Sequence, residues 1–154
     1  MKQNGLTIDF ENSIGPWLGK TIKILEHQLI TMLHKDGLQI TKDQMVVLIK
    51  LYLKDGLNQN ELAFLVLRDK SSLTRMLKTM ERKGYIKRQQ STEDKRINNV
   101  FLTDFGRATF HRVQPILKNL MAHEEQGISN EEKQTLIKIL KKIHSNFGEK
   151  PELL

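Results

Sequence analysis

Apolar residues recur at helical spacing over most of the chain, and this pattern predicts a mainly α-helical protein. Near the N-terminus, one helical face collects Ile14, Leu18, Ile22, Leu25, Leu29 and Met32. Pro16 stands in the expected first turn, and Gly37 stands just beyond the expected last turn. These signals predict a long amphipathic helix over residues 15–35.

Similar signals predict a core helix next in the chain and two helices at its C-terminal end. Thr41 is a predicted helix cap, and the apolar run at 45–49 places that helix deep in the core. Thr103 caps a later helix, and Ser129 with Glu132 forms a capping box that opens the last one. One face of this last helix carries Leu136, Leu140, Ile143 and Phe147.

Two short helices joined by a tight turn are predicted in the middle of the chain. Asn58 and Glu61 have capping-box spacing and open a helix that runs to about Val66. Asp69 caps the next helix, and Gly84 ends it. This second helix has one apolar face, made of Leu73, Met76, Leu77 and Met80. Its other faces carry cations and hydroxyls, so the pair is a helix-turn-helix candidate.

A hairpin with a charged tip is predicted directly after these helices. Residues 85–89 and 99–102 are rich in aromatic and β-branched side chains and predict two strands, with the polar residues 90–98 between them. A hairpin beside a helix-turn-helix forms a wing. The predicted fold class is therefore mainly α with a small β-hairpin wing: a winged helix-turn-helix over about 41–102, flanked by N- and C-terminal helices.

The positive charge of the chain is concentrated in this central part. Residues 68–96 carry ten Lys and Arg against four Asp and Glu, a difference of +6 in a chain whose net charge is +7. A concentrated basic surface is typical of a protein that binds a polyanion. Tyr85 is nearly the only aromatic residue there, which favours duplex DNA over RNA. An RNA-binding module and a winged helix that docks another protein stay as alternatives.

The composition limits the other classes of function. A length of 154 residues suits one domain spanning 1–154, and the absence of cysteine excludes disulfides and thiolate metal sites. The five histidines include no pair at i, i+3 or i, i+4, so no metal site is expected. We find no phosphate loop, nucleophile elbow or suggestive carboxylate pair, and expect neither enzyme activity nor a cofactor. The apolar runs are too short to span a membrane, and we expect a cytoplasmic location.

The central segment resembles the winged helix-turn-helix of the multiple-antibiotic-resistance-regulator (MarR) family. Residues 59–63 resemble the first motif helix of that family, and residues 69–75 resemble its recognition helix. Residues 94–96 and 102–106 resemble its Asp-x-Arg and Leu-Thr-x-x-Gly signature, and the helical flanks extend the resemblance to nearly the whole chain. Residues 65–68 lack the glycine that members often place in the turn. We therefore expect a different backbone geometry there, or a longer first helix.

The resemblance implies a homodimeric transcriptional regulator, most simply a repressor relieved by a small ligand. Helices at about 12–35 and 103–148 of two subunits would interlock. They would hold two recognition helices about 34 Å apart, so the partner would be double-stranded DNA with a pseudo-palindromic site. A ligand pocket is implied where the dimer helices meet the winged domain. Trp17 and Tyr52 are candidate pocket residues, with a place in the core as the alternative for both.

The resemblance also implies DNA contacts for Lys70, Ser71, Ser72, Thr74, Arg75, Lys78, Lys95 and Arg96. The hydroxyl residues and Arg75 would face base edges or phosphates in the major groove, whereas Lys70 and Lys78 would neutralise phosphates. Arg96 would enter a narrow minor groove, and Asp94 would support the wing by orienting a neighbouring arginine. The alternative is that Arg96 pairs with Asp94 or Glu93 and only shapes the loop.

Overall fold

The computed structural model describes residues 9–148, which form six helices and a small antiparallel sheet. The elements are α1 (Ile14–Lys35), α2 (Lys42–Leu53), β1 (Leu57–Asn58), α3 (Gln59–Leu65), α4 (Lys70–Arg82), β2 (Ile86–Gln90), β3 (Asn98–Leu102), α5 (Asp104–Glu124) and α6 (Asn130–Asn146). The predicted fold class is confirmed. Of the predicted domain 1–154, residues 1–8 and 149–154 lie outside the described residues.

The helices begin at the residues whose side chains can satisfy their free amides. The Thr41 hydroxyl accepts from the amide of Gln44, three residues into α2, and the Gln44 side chain accepts from the Thr41 amide. Equivalent reciprocal capping opens α3 at Asn58 and α6 at Ser129. Thr103 caps α5 through the amide of Gly106. These predicted starts are confirmed, because capping is a local interaction that a short stretch of sequence specifies.

The sheet has the strand order β1-β3-β2, with β3 pairing antiparallel to both neighbours. The predicted hairpin is confirmed with one-residue shifts, since β2 begins at Ile86 and β3 begins at Asn98. Tyr85 donates its amide to the carbonyl of Met80 and so closes the end of α4, which delays the start of β2 to Ile86. The two-residue strand β1 was not predicted. It exists through tertiary pairing, with Leu57 opposite Val100.

The turn between α3 and α4 uses a left-handed residue without using glycine. Leu67 has φ of 51°, and α3 ends at Leu65, so the expected longer helix or altered geometry is not found. The amide of Arg68 donates to the carbonyl of Ala63 at 3.0 Å, and the amide of Leu67 donates to Phe64, which completes a Schellman-type helix end. Leu67 is 77% exposed, so this conformation directs its side chain to solvent and not into the core.

The core lies between α2, α4, α5 and the sheet. Its fully buried side chains include Leu48, Leu51, Leu73, Leu77, Met80, Val100 and Val113. The outer helices contribute little to it. Of the long helix α1, only Leu29 and Leu33 are buried, and α6 has no buried residue in the single chain. Both helices therefore keep apolar side chains on their surfaces.

The surroundings of Gly106 explain why the Leu-Thr-x-x-Gly segment ends in glycine. It lies in the first turn of α5, where a Cβ would overlap the carbonyl oxygen of Tyr85 and come within 3.2 Å of Leu102 Cδ2. The same carbonyl accepts from the amide of Thr103 at 3.1 Å. The absence of a side chain at Gly106 thus lets α5 start directly against the base of the wing.

We expect Gly106→Ala to lower the free energy of unfolding by about 1 to 3 kcal/mol, because the backbone of Tyr85 must move to admit a methyl group. Urea denaturation measured at one fixed protein concentration checks this. Gly15→Ala is the matched control, since a Cβ at Gly15 meets no atom within 4 Å. Equal effects of the two substitutions would contradict the steric explanation.

Candidate nucleic-acid interface

Helix α4 divides into a buried apolar face and an exposed basic face. Leu73, Leu77 and Met80 are fully buried against the core. The opposite side exposes Lys70, Ser71, Thr74, Arg75 and Lys78, whereas Ser72 is half-buried. The helix is therefore anchored along one side and free along the other, as a helix that enters a DNA groove must be.

The hydroxyls of this face already take part in hydrogen bonds within the protein. Ser71 Oγ donates to Asp69 Oδ1 at 2.7 Å, and Thr74 Oγ1 donates to the carbonyl of Lys70 at 2.7 Å. Gln59 Nε2 in turn donates to Thr74 Oγ1 at 3.3 Å. Arg75 has no side-chain hydrogen bond to any residue in 9–148, so its guanidinium keeps all its donors for a partner.

Asp69 holds the start of α4 and is one of the four carboxylates of the basic segment. Its side chain accepts from the amide of Ser72 at 2.9 Å and from the hydroxyl of Ser71. The Ser72 amide, followed by the Ser71 hydroxyl, holds the pKa of Asp69 well below its usual range. The charge of Asp69 therefore stabilises the helix N-terminus.

Most cations of residues 68–96 have no carboxylate partner. Within residues 9–148, ion pairs engage only two of the ten: Arg68 with Asp43, and Arg88 with Glu81. The other eight are Lys70, Arg75, Lys78, Arg82, Lys83, Lys87, Lys95 and Arg96. The concentration of charge in the sequence is therefore also a concentration of uncompensated charge on the folded surface.

Glu81 and Arg88, a pair not predicted from the sequence, join α4 to the wing. Arg88 Nη2 donates to Glu81 Oε2 at 2.6 Å, Arg88 Nε donates to the same oxygen at 3.0 Å, and the Arg88 amide donates to Oε1 at 3.0 Å. Glu81 is the only carboxylate of α4. A lone acidic residue in a basic helix was the available signal for this contact.

The wing loop between β2 and β3 is held by backbone and side-chain hydrogen bonds among its own residues. The amide of Ser91 donates to the carbonyl of Ile97 at 2.8 Å, and Asp94 Oδ1 accepts from the amide of Arg96 at 2.9 Å. In the described part of the chain, no ion pair joins the Arg96 guanidinium to Asp94 or Glu93. The carboxylate of Asp94 therefore fixes the backbone at Arg96 and leaves the guanidinium free.

A cleft of about 180 Å³ separates the wing from the starts of α3 and α4. Its lining residues are Asn58, Gln59, Asn60, Lys70, Thr74, Arg96, Ile97 and Asn98. Three of the residues predicted to contact DNA thus meet at one place, although 26 sequence positions separate Lys70 from Arg96. The cleft combines two cations with several side-chain amides.

Asp55 anchors the other end of the wing. Its Oδ1 accepts from the amide of Leu102 at 2.9 Å, and its Oδ2 pairs with the guanidinium of Arg107 on α5. One carboxylate therefore connects the loop after α2, the last residue of β3 and the first turns of α5. The wing is fixed at its base to the helices that flank the winged domain.

The two candidate pocket aromatics lie on other helices than the residues predicted to contact DNA. Trp17 on α1 is 58% exposed, and its indole Nε1 donates to the carbonyl of Glu11 at 2.8 Å. Tyr52 on α2 is 38% exposed and stacks on Phe110 of α5, with 3.9 Å between the ring centroids. Neither residue belongs to the buried core, so the core alternative is wrong for both within a single chain.

The described residues contain neither a metal-binding cluster nor a membrane-spanning helix. Across positions 9–148, no group of three or more His, Asp or Glu side chains is arranged to hold a metal ion. Over the same positions, no helix is both long enough and apolar enough to cross a membrane.

The fold and this surface define a winged helix-turn-helix DNA-binding protein. The sequence profile of the MarR family matches residues 40–97. The chain is also 31% identical, over 109 residues, to the HTH-type transcriptional regulator SarZ of Staphylococcus haemolyticus (strain JCSC1435). That alignment covers 70% of this chain and 71% of SarZ. The chain belongs to the MarR family, and it is a DNA-binding transcriptional regulator.

Solved structures share the whole architecture. The transcriptional repressor CouR bound to a 23-mer DNA duplex superimposes with a TM-score of 0.79 at 24% identity, covering 86% of this chain and 93% of that one. The PcaV transcriptional regulator from Streptomyces coelicolor, in complex with its natural ligand, gives 0.81 at 18% identity, covering 92% and 98%. At these identities, the likeness shows a common fold.

The contact between Glu81 and Arg88 should make stability depend on pH. Hydrogen bonds from Arg88 lower the pKa of Glu81 from its ordinary value of 4.5. The stabilisation is therefore complete above that value and is lost as the pH falls through the lowered folded-state pKa.

We expect Glu81→Gln to cost about 1 kcal/mol of unfolding free energy at neutral pH, a value reduced for partial solvent exposure. This difference from the wild type should shrink as the pH is lowered through the acidic range. Urea denaturation at a series of pH values measures it. A difference in unfolding free energy that does not vary with pH would show that the charge of the Glu81 carboxylate does not cause the stabilisation.

Proposed function

We propose that this regulator is a homodimeric repressor that binds a pseudo-palindromic duplex DNA site and releases it when a small molecule binds. The observation that carries the proposal is the uncompensated positive charge on the free face of α4 and on the wing. Phosphate contacts of such a surface supply affinity, and side chains that reach the groove supply sequence selectivity.

The proposed DNA contacts differ in chemistry. Arg75 lies on the exposed face of α4 with its donors free, which suits bidentate recognition of guanine in the major groove. Lys70 and Lys78 on the same face suit phosphate binding, as does Lys95 in the wing. Ser71 and Thr74 each donate their proton within the protein, so towards DNA they are best placed as acceptors. Ser72 is half-buried, so we expect it to contribute least to DNA binding.

The proposed dimer is supported by apolar residues that the single chain leaves uncovered on its outer helices. On α1 and α6, the exposed large apolar side chains include Ile14, Trp17, Ile22, Ile24, Leu136, Ile137 and Ile139. Apolar surface of this extent marks an interaction site in a soluble protein. A two-fold pairing through both helices would cover it and would present two recognition helices to successive turns of DNA.

Relief by a small ligand is supported by the structural neighbours and by the aromatic residues near α1 and α2. CouR is a repressor on DNA, and PcaV was solved with its natural ligand. In this chain, Trp17 is exposed on α1, a proposed dimer helix, and Tyr52 is exposed on α2 of the winged domain, where it stacks on Phe110 of α5. We assign them to the ligand pocket. No metal or cofactor is part of this proposal.

We further propose that the protein has a regulatory role without enzymatic activity. Its proposed location is the cytoplasm, together with the DNA that it regulates. The support is that the family match and the SarZ relative are both transcriptional regulators.

Selection of binding sites from a random duplex library tests the proposed function directly. The selected duplex, a scrambled duplex and a single-stranded RNA of the same length are then compared in gel-shift titrations at several salt concentrations. The proposal expects preference for a two-fold duplex and an affinity that falls steeply with salt, by about 0.9 in log K per log unit of salt for each phosphate neutralised. Preference for RNA, or binding insensitive to salt, would support the alternatives.

We expect Arg75→Ala to cost roughly 1 to 3 kcal/mol of binding free energy on the selected site and less on scrambled DNA, because a base contact is lost. Competition titrations on the two duplexes measure the difference. An equal loss on both would demote Arg75 to a phosphate contact. Lys83→Ala, at the far end of α4, serves as the control for the loss of one positive charge.

Removal of residues 129–154 should abolish the dimer and leave a folded monomer, since α6 buries no residue in the single chain. Sedimentation measures the mass, and circular dichroism checks the fold. Leu136→Glu should weaken the dimer in the full-length chain, whereas Lys138→Glu, on an exposed position of the same helix, should leave it intact. A truncated protein that stays dimeric would exclude α6 as an essential part of the interface.

A further inference from the structure

We propose that the outer face of α2 and α3 binds the same face of a second copy of this chain, so that regulators on neighbouring DNA sites contact each other. The proposal goes beyond the proposed function and rests on it, since DNA brings the copies together. We name this face the lateral patch. It comprises Val46, Lys50, Leu53, Phe64 and Leu67, none of which is proposed above to contact DNA or to form the outer-helix dimer.

Two ion pairs mark the ends of the lateral patch. Arg68, in the turn after α3, pairs with Asp43 in the first turn of α2. Lys54, at the end of α2, pairs with Glu61 in the first turn of α3, with 3.9 Å between Nζ and Oε1. The two helices therefore run antiparallel side by side, with one ion pair at each end.

Apolar side chains stand between these ion pairs and face solvent. Val46, Lys50 and Leu53 succeed one another at intervals of four and three residues, so they share one side of α2. Leu53 is 74% exposed, and Phe64 of α3 is 58% exposed. Neighbouring exposed apolar side chains of this size are typical of an interaction surface.

The backbone at Leu67 gives an independent reason to expect a contact here. Its φ of 51° is disfavoured for a residue with a Cβ, whereas glycine adopts it without steric cost. The side chain faces solvent, so packing within the chain does not account for a leucine at this position. A disfavoured conformation that presents an apolar side chain to solvent points to a function outside the folded chain.

The charges of the lateral patch complement those of a second copy. The carboxylate lies on α2 at one end and on α3 at the other, and the cations occupy the opposite corners. A two-fold rotation about an axis parallel to the helices places α2 of one copy on α3 of the other. Asp43 then faces Arg68 of the second copy, and Lys54 faces Glu61 of the second copy. The same patch thus serves both copies, as a two-fold contact requires.

Lys50 selects this orientation and this partner. A two-fold axis across the helices would also pair the corner charges, but it would place Lys50 beside Lys50 of the second copy. The axis parallel to the helices places Lys50 beside the ring of Phe64, where a cation is attracted. An acidic partner protein would suit Lys50 but would be repelled by Asp43 and Glu61. A second copy satisfies all of these charges.

The contact is weak between free molecules because a few exposed side chains cover less area than a stable interface needs. Two regulators on adjacent sites of one duplex are held at an effective concentration in the millimolar range. The lateral patch therefore acts on DNA, where it makes binding to neighbouring sites cooperative. It does not replace the dimer formed by the outer helices.

The first test compares duplexes that carry one selected site with duplexes that carry two, at spacings that cover one helical turn. With purified full-length protein, the first regulator should tighten binding of the second by roughly tenfold at the favourable spacing. Leu67→Asn should abolish this cooperativity and keep single-site affinity, because asparagine tolerates the left-handed conformation. Leu67→Met is the control that keeps both. Wild-type binding without cooperativity at every spacing, or full cooperativity of Leu67→Asn, overturns the proposal.

The charge pairing has its own test on the same duplexes. Arg68→Asp should abolish cooperativity, because Asp43 of the second copy would then face a carboxylate. Adding Asp43→Arg should restore it, since the exchanged charges again face each other both within the chain and across the contact. Cooperativity is taken relative to the single-site affinity of each variant, so any direct effect on DNA binding cancels. A double variant without cooperativity overturns the proposed pairing.

A measurement without DNA separates this inference from the proposed function. Sedimentation at protein concentrations up to about a millimolar should show the wild type and Leu67→Met associating beyond the outer-helix dimer. Leu67→Asn should associate less under the same conditions. Identical association of the wild type and Leu67→Asn overturns the inference whether or not the protein binds DNA. Failure of the wild type to bind any single-site duplex overturns the proposed function instead.

Discussion

The hydrogen-bonded ion pair between Glu81 and Arg88 fixes α4 relative to the wing, and the geometry of the candidate DNA-binding surface depends on it. Glu81 lies near the end of α4, and Arg88 lies in the middle of β2. Three hydrogen bonds join them, one of which comes from the strand backbone. A side chain that binds both backbone and guanidinium defines position and orientation together, so α4 and the wing, the two elements proposed to contact DNA, form one unit.

The acidic residues of the basic segment have structural roles and leave most of its cations unpaired. The basic segment contains four carboxylates, and three of them accept hydrogen bonds inside the protein: Asp69, Glu81 and Asp94. Each shapes one structural feature, namely the start of α4, the helix–wing junction and the wing loop. The acidic groups thus organise the backbone, while most of the cations face outward. The residues that hold the backbone of this segment are therefore mostly distinct from the cations proposed to contact DNA.

Sequence reasoning predicted the elements that depend on local interactions. The caps at Thr41, Asn58 and Ser129 follow from side-chain-to-backbone bonds over three residues, and the apolar face of α4 follows from helical periodicity. Features that depend on distant pairing were not predicted. Strand β1 needs Val100 as its partner, 43 positions beyond Leu57.

The features of the candidate site also include some that the sequence predicts and some that it does not. Its cations could be identified because they cluster in the sequence and lie off the apolar face of α4. The Glu81–Arg88 contact crosses the end of a helix, where no periodic rule applies, and the cleft needs three elements at once. The left-handed Leu67 shows a further limit, since an exposed leucine takes the conformation that a glycine would otherwise supply.

The central claim is that α4 and the wing read DNA as one unit, and the affinity of Glu81→Gln for the selected duplex at neutral pH tests it most directly. The substitution removes a negative charge from the DNA-binding segment, so charge alone predicts tighter binding to any duplex. The structural account predicts the opposite on the selected site: affinity about tenfold weaker, in a protein that remains folded, with binding to scrambled DNA unchanged or tighter. Equal or tighter binding of the variant to the selected site would contradict the account.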